Sequence, residues 1–258
     1  MSGVFRDAGP AAPLVVEYHA CELPRPDAEA SIVCDGQPPG GGHYRHFREP
    51  GGAFGIIRSS DWPEHSRLVL AGFSEGCQGV RTQLADGAVP DAVLAIDGIH
   101  ADNDMPAWQV DPWADLLARA KRGDTLFVHT STLVPTFGQY KSTRDMVRVL
   151  WGDDIEQKTS PAELGGVTCE VYREGLALLY LFPGGSAASH IEQGRVVLPA
   201  AMGLALSALS GGDVPEQGLP GRASSGMAPA WKKIAAGAGT ALLALVLAMR
   251  WEKRQWPF

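Results

Sequence analysis

No two cysteines of this chain stand at C-x-x-C spacing; Cys21, Cys34, Cys77 and Cys169 are scattered along its length. That scatter excludes zinc knuckles and thioredoxin-like redox motifs. Free thiols in a reducing compartment are the expectation, with a Cys21–Cys34 bridge as the alternative. Positive charge is also scarce. Against 29 Asp and Glu there are only 22 Lys and Arg, giving a net charge of -7, and no basic stripe crosses the main body. Binding to nucleic acid depends on clustered cations that neutralise many phosphates, so nucleic acid is not an expected partner. The opening residues "MSGVFRDAGPAAPLVVEYHA" lack a basic segment followed by an apolar core, and no secretory leader is expected.

Long apolar runs are absent until the far end, where "WKKIAAGAGTALLALVLAMRWEKRQWPF" occupies residues 231–258. Its uncharged run from Ile234 to Met249 is 16 residues long, just under the ~17–25 that span a bilayer. Lys232 and Lys233 precede the run, Arg250, Lys253 and Arg254 follow it, and Trp231, Trp251 and Trp256 stand where interfacial aromatic belts occur. Snorkelling basic side chains make a slightly short core tolerable. A single C-terminal transmembrane helix is therefore expected, with the membrane as partner and the orientation open; a buried terminal helix is the rival reading. Ahead of it, "LSGGDVPEQGLPGRASSGMAPA" (209–230) has the Gly, Pro and Ser content of a flexible linker. The body is thus 1–208, expected in the cytoplasm, with a phage or cell-envelope setting as the alternative.

Over the whole chain 45% hydrophobic and 20% charged residues are an ordinary globular balance. Short apolar runs alternate with amphipathic stretches. The runs at 13–20, 66–73, 90–98, 124–131 and 176–184 read as buried strands, and Glu75–Asp86, Pro112–Arg122, Thr143–Trp151 and His190–Ala208 as helices. The expected class is α/β, a mostly parallel sheet with helices on both faces. Residues 21–65 are less legible, with a long loop at "GQPPGGG" and a short helix around Ala53–Ser59.

Open parallel sheets bind ligands beyond the carboxyl ends of their strands. The residues there, or in the loops that follow, are His19, Ser74, Asp97, His129 and His190. Gly72-Phe73-Ser74-Glu75-Gly76 matches G-x-S-x-G, directly after "LVLA" and before a stretch able to continue as a helix. Small residues around the serine permit the tight strand-to-helix turn of a nucleophile elbow; the bland alternative is a glycine-rich turn with a capping serine. A serine hydroxyl needs an imidazole to take its proton and a carboxylate to orient that imidazole. His190, after the last strand, is the expected base. Asp97, held at a strand end, is the favoured acid, and Asp102 in the following loop is the runner-up.

With "GFSEG" as elbow, "AIDG" as an acid-bearing strand end and "SHIEQ" as histidine loop, residues 13–208 resemble the α/β-hydrolase superfamily. "VHTSTLVPTFGQYKST" and "SHIEQGRVVLP" are similar to a little-characterised group of compact hydrolase-like proteins in bacteria and phages. The chain departs from the commonest superfamily pattern, in which the acid follows the next strand. There it reads "FVHTST", offering His129 and no carboxylate. The resemblance implies an oxyanion hole made by the backbone N–H of Glu75 and one near His19, Ala20 or Cys21.

The remaining candidates have ordinary explanations. His43 and His46 have i, i+3 spacing but no third ligand nearby, so no metal site is expected. Ser142 with Asp145 reads as a capping box. His129 is either a satisfied core histidine or, with His19 and Asp102, part of a pocket. Cys77 is expected to pack the elbow helix against the sheet. The resulting expectation is a serine hydrolase acting on a carboxylic ester, small or from lipid or envelope, and less readily on an amide, with no metal or organic cofactor. An inactive membrane-tethered scaffold and an acyltransferase are the alternatives.

Overall fold

The structure, a computed structural model, describes residues 2–18, 30–35, 62–135 and 140–212. Most of the linker, the expected anchor at 231–258, His43, His46 and the short helix around 53–59 lie outside the described residues. The strands are β1 (Ser2–Arg6), β2 (Leu14–Tyr18), β3 (Ser31–Asp35), β4 (Leu68–Phe73), β5 (Ala92–Ile96), β6 (Ala101–Asp102), β7 (Leu126–Ser131), β8 (Tyr140–Lys141), β9 (Ser160–Leu164), β10 (Val167–Glu174) and β11 (Ala177–Leu181). The helices are α1 (Cys77–Ala85), α2 (Ala107–Arg122), α3 (Thr143–Trp151), α4 (Ala187–Glu192) and α5 (Leu198–Leu209).

Among the described residues nine strands form one sheet in the order β1-β3-β2-β4-β5-β7-β11-β10-β9. From β3 to β11 all neighbours are parallel, while the β1–β3 pair at one edge and the β11–β10 and β10–β9 pairs at the other are antiparallel. The five runs read as strands from the sequence become β2, β4, β5, β7 and β11. Each is buried over almost its whole length, because a parallel strand covered on both faces has no solvent side.

Alternate residues serve opposite faces. Val93, Ala95 and Phe127 join the core under α1, α2 and α3, where Val80, Trp113, Leu116, Met146 and Trp151 cover them. Leu94, Ile96 and Val128 join the core under α5, against Leu198, Ala201, Met202 and Ala205. The class is therefore α/β, with helices on both faces of a mostly parallel sheet. Among the described residues no helix is long and apolar enough to cross a membrane.

Two helix starts differ from the sequence reading. Pro112 lies inside α2, which begins at Ala107; its missing N–H forgoes a bond to the Trp108 carbonyl without ending the helix. The last helical stretch starts at Ala187, capped by the Ser186 side chain, and passes through a π turn at Gln193–Val197 into α5. The Ser142–Asp145 capping box forms at the head of α3 as read. Cys77 and Cys169 are free and buried.

Register brings the site together. Phe73 lies beside Ile96 and Ile96 beside Thr130, so the carboxyl ends of β4, β5 and β7 are level. The strand order also reverses at β2, which has β3 on one side and β4 on the other. Such a switch point opens a crevice between strand ends, and Ser74 follows one of those ends.

Candidate active site

Ser74 leaves β4 with φ 56°, in the left-handed region that a residue with a Cβ seldom enters. It opens the 3-10 turn Ser74–Gly76, which runs straight into α1. Such strain, on the order of 1–3 kcal/mol, persists only where the surroundings over-determine it. Two glycines do so here. A Cβ on Gly72 would come within 2.8 Å of the Cys77 backbone, and one on Gly98 within 2.0 Å of the Ser74 carbonyl oxygen. Cys77 packs this corner as expected, its thiol donating to the Gly72 carbonyl at 3.3 Å.

Asp97 directly follows β5, also in the left-handed region at φ 44°, and is 1% exposed. Its backbone N–H reaches the Thr130 hydroxyl oxygen at 3.1 Å. His190, in the short helix α4 that follows β11, joins the two. Its Nε2 lies 2.8 Å from Ser74 Oγ and its Nδ1 2.7 Å from Asp97 Oδ2. The Phe73 ring packs against the imidazole with centroids 4.8 Å apart. Because a carboxylate only accepts, Nδ1 carries the proton and Nε2 is free to take one from Ser74.

The carboxylate is fully engaged. Besides His190, Oδ2 accepts from the Thr132 hydroxyl at 2.7 Å, and Oδ1 accepts from the Thr132 N–H at 2.8 Å and the Thr143 hydroxyl at 2.9 Å. Burial pushes the pKa of Asp97 up, but the hydrogen bond and charge of His190 and the Thr132 donors outweigh it and leave the carboxyl below its ordinary value.

The other sequence candidates are placed elsewhere. Asp102 forms two bonds with Gln109, accepting from Nε2 at 2.9 Å and donating its N–H to Oε1 at 2.7 Å. It thus secures the start of α2, and His190 pairs with Asp97 instead. Glu75 follows Ser74 in the 3-10 turn. His19, Ala20 and Cys21 lie outside the described residues.

His129 is fully buried, stacked on Phe127 with centroids 5.7 Å apart, and its Nδ1 accepts from Trp151 Nε1 at 3.0 Å. It is a core histidine rather than an open pocket wall. Its Nε2 has no hydrogen-bond partner among the described residues. Burial lowers its pKa to about 3; the Asp97 charge opposes this and Arg144 reinforces it. The unfolded imidazole titrates near 6.5, so the stability that neutral His129 contributes is complete above that pH. It declines as pH falls toward about 3. His129→Asn keeps an acceptor for Trp151 and should flatten the fall in urea midpoint between about pH 6.5 and 4.5; an unchanged slope would assign that fall to other groups.

Four positions around this carboxylate and histidine were missed in the sequence: Thr130, Thr132, Thr143 and Gln193. Gln193, 1% exposed in the π turn, accepts from the Thr130 hydroxyl at 3.1 Å and so ties the His190 segment to β7. The run of hydroxyls in "HTST" was the available signal, but only the fold shows that Thr132 faces the Asp97 carboxylate while Thr130 donates to Gln193. No family model, curated protein or solved structure matches the chain.

Proposed function

We propose that this protein is a serine hydrolase of the α/β-hydrolase type, cleaving a carboxylic ester through an acyl-enzyme at Ser74. The observation that carries the reading is the continuous chain Ser74 Oγ–His190 Nε2 and His190 Nδ1–Asp97 Oδ2, at 2.8 and 2.7 Å, built on a strained strand-to-helix turn. A capping serine in an ordinary turn needs neither the strain nor the two partners.

In the proposed reaction Ser74 Oγ attacks the substrate carbonyl carbon while its proton passes to His190 Nε2. Asp97 stabilises the imidazolium and remains ionised. The tetrahedral oxygen takes the carbonyl's electron pair and is held by the Glu75 N–H, with a second donor proposed in the chain following β2, around Ala20. Collapse breaks the C–O bond as His190 protonates the leaving alcohol. Water, deprotonated by His190, then releases the acid and restores Ser74.

No step calls for a metal or organic cofactor. The apolar run at 234–249 with its basic and aromatic flanks supports a membrane tether, which would bring lipid or envelope esters within reach. The test is hydrolysis of p-nitrophenyl esters of graded acyl length by the full chain. Turnover that Ser74→Ala removes supports the reading. Turnover that survives in Ser74→Ala would contradict it.

A further inference from the structure

We propose that Thr132 and Thr143 act as positioning residues, a two-hydroxyl clamp that fixes the Asp97 carboxylate so that His190 keeps its proton on Nδ1 and its Nε2 toward Ser74. This rests on the hydrolase reading of Ser74, His190 and Asp97.

A carboxylate offers about four lone-pair sites, and Asp97 receives four donors: His190 Nδ1, Thr132 N–H, Thr132 Oγ1 and Thr143 Oγ1. The direction of both hydroxyls is forced. Asp97 only accepts, so each must donate to it. Thr132 Oγ1 in turn accepts from the Val134 N–H at 3.2 Å, and Thr143 Oγ1 lies 3.0 Å from Ser131 Oγ. Donors arranged in series polarise one another, so both hydroxyls bond more firmly than isolated ones.

The clamp also joins separate parts of the fold. Thr132 follows β7, whereas Thr143 is the first residue of α3, a helix seated by Met146, Val147 and Trp151 in the core. A carboxylate at the end of β5, reached by a residue in the left-handed region, has no neighbour on its own strand to hold it. These two threonines supply that support from the next strand and its helix, and they do not touch the reacting atoms.

The charged and titratable groups that act on Asp97 are His190 from α4, His129 from β7, Arg144 from α3 and Cys77 from α1. Replacing either threonine by valine leaves all four in place. Losing a hydroxyl donor concentrates carboxylate charge on His190. The Asp97–His190 pair then takes up its proton at higher pH, whichever member is credited with it.

The experiment is a titration of His190 by NMR in the full chain carrying carbon-13 at histidine Cε1, for wild type, Thr143→Val, Thr132→Val and the double variant. Kinetics with a p-nitrophenyl ester are measured on the same samples. Each valine should raise the His190 midpoint by roughly half a unit or more, move the acidic limb of kcat/KM with it, and lower kcat about tenfold with KM held. Thr143→Ser and Thr132→Ser should restore both. Thr143→Ala, which adds no methyl group in place of the hydroxyl, guards against a packing artefact and should behave like Thr143→Val.

A fall in kcat with no change in the His190 midpoint would overturn the clamp and leave the threonines with a merely structural role. The NMR titration does not depend on turnover. A midpoint raised in the valine variants, where the wild-type protein cleaves no ester, would therefore uphold the hydroxyl support of Asp97 and overturn the hydrolase reading and the catalytic purpose given to the clamp.

Discussion

Ser74→Ala is expected to lower kcat for ester hydrolysis on the order of 10⁶-fold, the scale on which loss of a triad nucleophile is felt. The proposed acyl-enzyme is attached at Ser74 Oγ, and among the described residues His190 Nε2 bonds the Ser74 hydroxyl. The fold should survive, because Ser74 is only partly buried and, among the described residues, its hydroxyl bonds to no group but His190. The left-handed conformation is imposed by β4 and α1, and alanine tolerates it about as well as serine does. A circular dichroism melt indistinguishable from wild type, together with activity at background, is the expected pair of results. Substantial turnover by the folded variant would move the nucleophile elsewhere.

Asp97→Asn is expected to lower kcat by about 10⁴-fold, because an amide in place of the carboxylate favours the wrong imidazole tautomer. The geometry adds a second cost. All four donors converge on the two carboxylate oxygens, so one Asn nitrogen must point its hydrogens at donors already aimed there. A buried donor left unpaired costs about 1–3 kcal/mol, so this variant should also be less stable at neutral pH.

The sign of the pH effect follows from the lowered pKa of Asp97. Its contribution to stability is present above the unfolded carboxylate value near 3.9 and is lost as pH falls through the folded value. The variant should therefore lose stability at pH 7 while showing a shallower decline below about pH 4. Chemical denaturation at both pH values measures it. Asp102→Asn should leave kcat close to wild type, since Asp102 serves Gln109.

Much of this molecule is legible in the sequence because its central strands are buried on both faces. Near-continuous apolar runs such as "LVLA" and "AVLAI" leave little alternative to parallel strands, and a small-residue turn after one of them points to Ser74. The antiparallel extension of β10 and β9 beside β11 was missed, although Gly165-Gly166, both at positive φ, is a recognisable hairpin turn. In β10, Cys169 and Val171 point inward while Thr168 and Glu170 are exposed, a period-two signal diluted by its charges.

The π turn at Gln193 left no periodic trace, because one widened turn within a long helix changes the spacing only locally. The hydroxyl support of Asp97 was illegible for a different reason. Its members come from the end of β7 and the start of α3, and nothing in their spacing marks a shared partner. Asp97 could be preferred over Asp102 because a strand end is a firmer mount than a loop. The pairing with His190 agrees with that argument.

The central claim is that Ser74 is an activated nucleophile, and covalent labelling by a fluorophosphonate tests it most directly. The full chain and Ser74→Ala are treated side by side, and the modified peptide is located by mass spectrometry. The account predicts stoichiometric modification at Ser74 and none in the variant. A folded wild-type protein that stays unlabelled, or is labelled at another residue, would contradict it.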